Sequence, residues 1–253
     1  MPTWDDQQYL KFADERTRAA RDLLARVPLD DAATVVDLGC GPGNSTALLV
    51  ERWPQARVVG VDSSAEMLRS ARQALPQVEW MQADLRAWAP AAPVDLIFAN
   101  AVMQWLPDHA TLLPELLRHL RPGGVLAIQM PRNYDEPSHR LMRETPGPWA
   151  ARLAGARAIA PLPAAAWYYD LLAPHARRVE LWQTTYEQVM DDAGAIVEWV
   201  RGTGLRPYLE ALAEDERPAY LAAYEAGIDA AYPPRSDGRR LFPFPRLFMV
   251  AAR

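Results

Sequence analysis

Short β-branched segments alternate with helical patterns between residues 34 and 130, and this alternation constrains the fold more than any other feature. The strands are predicted at Thr34–Leu38, Arg57–Asp62, Val78–Gln82, Val94–Ala99 and Val125–Met130. The intervening helical patterns lie near Ser45–Arg52, Ser64–Leu75 and Thr111–Leu120. Because strand–helix–strand units cross over with one hand, this order predicts an α/β fold whose parallel sheet is covered by helices on both faces.

Three local signals set boundaries around these elements. Ser63–Glu66 is typical of a capping box that opens the second helix. Arg121–Gly124, with the sequence RPGG, is typical of a turn into the fifth strand. Before the first strand, apolar residues recur at helical spacing from Tyr9 to Val27, which predicts an amphipathic helix that ends at Pro28.

The chain beyond the fifth strand predicts insertions and two further strands. Residues 131–174 are too long for an ordinary connection and too apolar for a disordered linker, which indicates a cap. Arg178–Met190 alternates in polarity and Leu247–Ala252 is apolar, so these late strands are predicted to pair as a hairpin at the sheet edge. We therefore expect one domain over residues 1–253, with a ligand-binding core at 34–130 and helical cap insertions at 131–175 and 191–240.

A glycine-rich turn, VVDLGCGPG at residues 35–43, lies between the first predicted strand and the first helix. Glycines let the backbone approach a ligand closely, and the helix N-terminus offers free N–H groups. Dinucleotide enzymes use G-x-G-x-x-G here, but in this chain the third glycine falls one residue early and Asn44 occupies its place. The spacing argues against a nicotinamide dehydrogenase.

Polar residues follow three of the predicted strands, where open α/β sheets bind ligands. Asp62 ends the second strand and can accept from both hydroxyls of a ribose. Asp84 follows the third strand and can accept from an adenine amino group. Asn100 ends the fourth strand, near the expected reactive end of the ligand.

This constellation resembles the class I S-adenosylmethionine-dependent methyltransferase family over residues 34–130. The resemblance implies a Rossmann-like, mostly parallel seven-stranded sheet with an antiparallel last strand, and S-adenosylmethionine as cofactor. It also implies cofactor contacts, with Asp37, Gly39 and Gly41 at the methionine part, Asp62 at the ribose, Met67 beside the adenosine, Asp84 with Leu85 at the adenine, and Asn100 nearer the methyl group.

Residues 197–209 and 237–248, together with 9–12 and 101–105, carry a narrower resemblance to the trans-aconitate 2-methyltransferases. In that family one carboxylate of a small tricarboxylate is methyl-esterified. A trianion in a closed pocket needs cationic and hydrogen-bonding partners. The predicted substrate-binding residues are Arg206, with Thr203 and Tyr208 nearby, Arg246 in the tail, and Asn133 and His139 just past the fifth strand.

The substrate is left open in several respects. The sequence does not choose among trans-aconitate, cis-aconitate and isocitrate, nor among the carboxylates of one acid. Another carboxyl methyltransferase, such as one acting on a malonyl group of an acyl carrier protein, and a non-catalytic S-adenosylmethionine-binding protein are the alternatives. An acidic carrier protein would need a basic docking face, and no basic cluster stands out in the sequence.

The predicted reaction needs no general base, because a carboxylate is already deprotonated at neutral pH. No catalytic acid or base is therefore expected, and rate would come from proximity and orientation. Since the carboxylate and the sulfonium neutralise each other in the transition state, arginines are expected to bind the carboxylates that do not react.

Composition excludes several partners. The net charge of −5 is spread along the chain without a basic block, which argues against nucleic acid and anionic membranes. Cys40 is the only cysteine, so neither a disulfide nor a multi-cysteine metal site is expected. The start, MPTWDD, is charged where a signal peptide would be apolar, and no stretch has membrane-spanning length. These features favour a cytoplasmic protein without a metal.

Overall fold

The computed structural model of the chain describes residues 13–156 and 160–253, and these form one mixed sheet flanked by helices. The strands are β1 (Thr34–Leu38), β2 (Arg57–Asp62), β3 (Glu79–Gln82), β4 (Val94–Asn100), β5 (Leu120–Pro131), β6 (Arg178–Met190) and β7 (Arg240–Ala252). The helices are α1 (Ala13–Ala25), α2 (Asn44–Arg52), α3 (Ala65–Ala74), α4 (His109–Arg118), α5 (Pro137–Glu144), α6 (Ala150–Ala154), α7 (Ala165–Leu172), α8 (Ala193–Arg201), α9 (Arg206–Ala211) and α10 (Arg217–Ala231).

The sheet has seven strands in the order β3-β2-β1-β4-β5-β7-β6. The strands β1 to β5 are parallel, whereas β7 runs antiparallel to both β5 and β6. β6 contacts the sheet through β7, which it pairs from Arg178↔Ala252 to Met190↔Arg240. The predicted class I methyltransferase fold, with its antiparallel last strand, is thereby confirmed.

Each face of the sheet packs against its own set of helices. On β4, Leu96 and Phe98 belong to the apolar cluster that contains α1 and α2, while Ile97 and Ala99 belong to the cluster that contains α4 and α7. All four side chains are fully buried. Burial on both faces explains why the central strands are continuous apolar runs rather than alternating ones.

A third apolar cluster joins α5 and α6 to α8, α9 and α10. Its largest fully buried members include Tyr220 and Tyr224, whose hydroxyls donate to backbone carbonyl oxygens of Met142 and Ser138 at 2.9 and 2.7 Å. Helix α7 lies apart from this cluster, because Tyr168 packs in the sheet core. Within residues 131–175, therefore, 137–154 join the helices of the later segment and 165–172 cover the sheet.

Several boundaries differ from the predicted ones. The RPGG segment is not a turn before β5 but a bulge inside it, since Val94 pairs with Leu120 and Leu96 with Val125. The N-cap of α3 is Ser64, whose hydroxyl accepts from the backbone N–H of Met67 at 3.3 Å, so the cap begins one residue later than the predicted box. The predicted helix start at Tyr9, with the 9–12 block, lies outside the described residues.

Candidate active site

The glycine turn is held close to the segment that follows β4. Gly39 and Gly41 have φ angles of +71° and +54°, a region that favours glycine. A Cβ on Gly39 would lie 2.2 Å from Cγ2 of Val102, whereas a Cβ on Gly41 would meet no atom within 4 Å. Gly39 is therefore required for packing, and Gly41 borders open space where a ligand can approach the backbone.

Asp37 lies fully buried beneath this turn. Its Oδ2 accepts from the hydroxyls of Ser45 and Thr46, at 2.8 and 2.6 Å, while its Oδ1 has no hydrogen-bond partner. Burial raises the pKa of this carboxyl to about 6; the two hydroxyls oppose the rise and the charge of Asp62 adds to it. A buried carboxylate oxygen without a partner is costly, so this position suits a ligand that brings a hydrogen-bond donor.

Asp62 connects the turn to the start of α3. Its Oδ2 accepts from the N–H of Gly41 at 3.0 Å and its Oδ1 from the N–H of Ser64 at 2.8 Å. Each carboxylate oxygen has two acceptor sites, so both oxygens retain capacity for a further hydroxyl donor. The carboxylate thus fixes the loop geometry, whatever else it binds.

Asp84, which follows β3, is paired with Arg86, a contact that the sequence did not indicate. The backbone N–H of Ala83 donates to the carbonyl of Asp62 at 3.1 Å, which brings Asp84 beside the turn. The carboxylate of Asp84 is bound by the guanidinium of Arg86, and this contact lowers its pKa to about 2. The side chain of Leu85 is buried in the sheet core, so only its backbone is available to a ligand. Met67 is buried too.

The end of β4 carries two buried amide oxygens without hydrogen-bond partners, Oδ1 of Asn100 and Oε1 of Gln104. Between them, Ala101 has a φ of +55°, which is uncommon for a residue with a side chain. Strained backbone of this kind clusters at functional sites. Asn100 is also the Cα partner of Gln129 on β5, so the end of β4 leads directly to the neighbouring strand.

A pocket opens just past the end of β5. The predicted residues Asn133, His139 and Tyr208 line it. It is also lined by side chains that the sequence reasoning missed, Arg132, Tyr134 and Arg143. The carboxyl ends of parallel strands share one edge of a sheet, so this pocket lies on the same edge as the glycine turn. Among the residues that the structure describes, the charged ones that line it are two arginines, Arg132 and Arg143, and one aspartate, Asp135.

His139 is neutral in this pocket. Burial, which contributes most, and the positive charges of Arg143 and Arg246 together lower its pKa to about 3. Its Nδ1 lies 3.1 Å from the hydroxyl of Ser138, and its ring lies 6.3 Å from that of Phe244. A neutral imidazole offers a hydrogen bond without adding charge, while the cations beside it make the pocket electrostatically suited to an anion.

Three predicted substrate residues, Arg206, Thr203 and Arg246, do not line the pocket. The guanidinium of Arg206 pairs with Glu210 at 2.8 Å, one turn along α9. The hydroxyl of Thr203 donates to the carbonyl of Val200 at 3.4 Å. Arg246 is buried on β7, where its Nη1 donates to Oε1 of Gln129 at 3.4 Å.

The missed residues left weak but usable signals. Arg132 directly precedes Asn133, so the strand-end rule that selected one could have selected the other. Arg143 is four residues after His139 and therefore lies on the same face of α5. The sequence carries no signal for the contact between Gln129 and Arg246, because a polar residue inside an apolar strand does not indicate its partner.

Other site types find no support in the described ranges. No group of three or more His, Cys, Asp or Glu side chains within residues 13–156 and 160–253 is placed to hold a metal ion. No helix of that same part combines the length and the apolar character needed to cross a bilayer. Cys40 is buried, and burial raises the pKa of its thiol, so it is not poised as a nucleophile.

Comparison with known proteins shows which proteins the chain is similar to. A family model described as a methyltransferase domain matches residues 35–124. A phosphoethanolamine N-methyltransferase 2 of Haemonchus contortus, solved with phosphomonomethylethanolamine and S-adenosylhomocysteine, has a TM-score of 0.56 at 14% identity over 92% of this chain and 52% of that chain. At this identity the likeness concerns the fold alone.

Two relatives match the chain from end to end. A trans-aconitate 2-methyltransferase of Rhodopseudomonas palustris (strain BisB18) is 58% identical over 256 residues, covering 100% of both chains. A protein of the same name from Azoarcus sp. (strain BH72) is 98% identical over 253 residues, again covering 100% of both. The chain therefore belongs to the trans-aconitate 2-methyltransferase family, and it is a methyltransferase.

Proposed function

We propose that this protein transfers a methyl group from S-adenosylmethionine to one carboxylate of trans-aconitate, giving a methyl ester and S-adenosylhomocysteine. The observation that carries the proposal is the arginine-lined pocket at the sheet edge that also carries the glycine turn. A small polyanion suits this pocket, because Arg132 and Arg143 line it beside a neutral His139. The names of the relatives support the choice of acid.

The residues present fit the cofactor. The partnerless Oδ1 of Asp37 and the open space beside Gly41 suit the ammonium and backbone-contacting part of the methionine moiety. Asp62 keeps acceptor sites for ribose hydroxyls. Asp84 would bind the adenine amino group only while also paired with Arg86, and Leu85 would contribute its backbone.

When bound, the cofactor supplies an electrophilic methyl group on a sulfonium. This chain's own residues then have three tasks, which are to hold the acceptor carboxylate in line, to bind the remaining carboxylates and to keep water out. Correct alignment of two reactants is worth about 7–11 kcal/mol of the barrier. Neither His139 nor Cys40 is needed as a base, since the acceptor is already an anion.

We further propose that residues 34–130 bind the cofactor, while the helical segments within 131–175 and 191–240 provide the substrate pocket. Asn133, His139 and Tyr208 are proposed to contact the acid directly, because they line the pocket. Arg246 is proposed to contribute its positive charge to the pocket from its buried position beside Gln129. Arg206 and Thr203 stay candidates only for an arrangement in which Arg206 gives up its pair with Glu210.

The decisive experiment is incubation with methyl-labelled S-adenosylmethionine and a panel of acids. The panel contains trans-aconitate, cis-aconitate, isocitrate, citrate and a malonyl-acyl carrier protein, with product esters identified by mass spectrometry. We expect a base-labile monomethyl ester from trans-aconitate at the highest kcat/KM. A higher kcat/KM for the carrier protein, or no transfer to any acid, would contradict the proposal.

A further inference from the structure

The three arginines at or beside the pocket differ in what their guanidinium groups already bind. Arg143 donates to the carbonyl oxygens of Tyr134 and His139, at 2.9 and 3.1 Å, and its guanidinium carbon lies 3.9 Å from the centre of the Tyr134 ring. Arg246 donates to Gln129 and lies over the ring of Phe244 at 4.5 Å. Both side chains are thus fixed by the protein itself.

Arg132 is different. Its Nη1 is buried without a hydrogen-bond partner, and its guanidinium makes no hydrogen bond or ion pair with any other residue of the described ranges 13–156 and 160–253. Arginine is always protonated in proteins, so this is a fixed positive charge, partly withdrawn from water, without an anion. Such a charge is costly unless something pairs with it.

The backbone of Arg132 is anchored, although its side chain has no partner. It directly follows the last residue of β5, and its N–H donates to the carbonyl of Pro245 on β7 at 2.9 Å. The guanidinium therefore projects from a rigid sheet edge rather than from a mobile loop. Its charge also reaches the sheet core, where burial raises the pKa of Tyr168 and Arg132 opposes the rise. An anchored cation without a partner, at the wall of a pocket, is pre-organised for an anionic ligand.

We infer that Arg132 binds one of the substrate carboxylates that does not react and is the main determinant of specificity for a tricarboxylate. This rests on the proposed function, because it assigns a residue to the same substrate. A guanidinium binds a carboxylate through two parallel N–H···O bonds and withdraws electron density from it. That withdrawal would slow attack by the same carboxylate on a methyl group, so the partner of Arg132 is a spectator carboxylate.

The first test compares Arg132→Gln and Arg132→Lys with the control Arg140→Gln. Arg140 lies on α5 with its side chain 53% exposed, and its pair with Glu144 is long at 3.6 Å, so the control removes one nearby positive charge outside the pocket. Binding of trans-aconitate is measured by calorimetry on protein saturated with S-adenosylhomocysteine. We expect Arg132→Gln to raise Kd at least about tenfold, Arg132→Lys to raise it less, and Arg140→Gln to leave it within about twofold.

The second test uses the three dicarboxylates that each lack one carboxylate of trans-aconitate, namely mesaconate, cis-glutaconate and itaconate. If Arg132 binds one particular carboxylate, Arg132→Gln weakens binding of the tricarboxylate and of the two analogues that keep that group. The third analogue binds wild type and variant equally. Equal weakening of all four acids would overturn the inference, because it would indicate a general electrostatic effect.

Folding and function are controlled separately. Removing a charge without a partner should not lower the thermal midpoint, and cofactor affinity should be unchanged in Arg132→Gln. If wild-type protein methylates trans-aconitate and Arg132→Gln does so with the same KM, the inference alone is wrong. If wild type neither binds nor methylates any tricarboxylate, the proposed function and the inference both fail.

Discussion

Two glycines with similar left-handed backbone lie in different parts of the fold, so comparing them separates the cost of backbone strain from an effect on the proposed cofactor site. Gly41 and Gly123 have φ angles of +54° and +81°, and a Cβ on either would meet no atom within 4 Å. Gly41 is in the glycine turn, whereas Gly123 is in the bulge of β5. The second glycine is thus a matched control for the first.

Gly41→Ala and Gly123→Ala should each reduce the free energy of unfolding by about 1–2 kcal/mol, the cost of left-handed backbone for alanine. Only Gly41→Ala should also weaken S-adenosylmethionine binding, by about tenfold or more, because its methyl group would occupy the space that the ligand needs. Urea unfolding and calorimetry measure the two effects. Equal cofactor affinity in the two variants would show that the space beside Gly41 does not face the cofactor.

Asp37 makes stability depend on pH in the direction opposite to that of a paired carboxylate. Burial raises its pKa to about 6, against about 3.9 in an unfolded chain. The folded state therefore binds the proton more tightly, so this contribution is complete below about pH 4 and is lost as the pH rises through about 6. The loss is on the order of 3 kcal/mol, at about 1.4 kcal/mol per pKa unit.

The free energy of unfolding of the cofactor-free protein should accordingly fall between about pH 4 and pH 7 by this amount more in wild type than in Asp37→Asn. Other carboxyl groups titrate equally in both proteins, so the difference isolates Asp37. Urea titrations across that range provide the measurement. Parallel curves for the two proteins would mean that folding does not raise the pKa of Asp37.

At the scale of elements, two hydrogen bonds through His109 link helix α7 to the segment after β4. The Nε2 of His109 lies 2.8 Å from the carbonyl of Met103, which can only accept, so in the neutral imidazole Nδ1 accepts from the hydroxyl of Tyr168 at 2.7 Å. His109 and Tyr168 are both buried. This contact holds the backbone that also places Val102 against the glycine turn.

Tyr168→Phe should cost about 1–3 kcal/mol of stability, because it leaves a buried acceptor on His109 unsatisfied. The neighbouring residue offers the control, since Tyr169 is 51% exposed and Tyr169→Phe should change stability by less than about 0.5 kcal/mol. Guanidinium unfolding of both variants tests this. Similar midpoints would show that the buried hydroxyl contributes nothing measurable.

The strand boundaries show which elements the sequence could predict. Arg178–Met190 agrees with the structure because its polarity alternates without interruption. The start of β7 was missed because Pro243 and Pro245 lack an N–H and are typical of loops. In the structure the pairing of β7 with β5 ends at Arg246. Both prolines lie before that residue and pair only with β6, so β5 does not need the N–H groups that they lack.

At the scale of the whole molecule, the arrangement of residues around the glycine turn was predictable, and much of the lining of the candidate substrate pocket was not. The glycine turn and the acids behind it are local in sequence, each at the end of a strand. The pocket instead joins residues 131–143 to Gly204 and Tyr208, which only the packing of the cap helices brings together. No local pattern could distinguish Arg132, among so many arginines, as one whose buried Nη1 has no hydrogen-bond partner within residues 13–156 and 160–253.

Turnover of trans-aconitate should be nearly independent of pH between about 6 and 9, because no group in the pocket must gain or lose a proton. Burial holds the pKa of His139 near 3, so it stays neutral throughout this range. His139→Asn should retain measurable kcat. A tenfold fall in kcat per pH unit below about 7, abolished by that substitution, would assign His139 a role as a base.

The position of β7 between β5 and β6 has a consequence for synthesis on the ribosome. Until residues 240–252 emerge, β5 has an open edge and β6 has no strand to join. Open strand edges template pairing with other chains. The nascent chain therefore exposes an aggregation-prone edge until residues 240–252 pair with β5 and β6, and Arg246 reaches its place beside Pro131 only then.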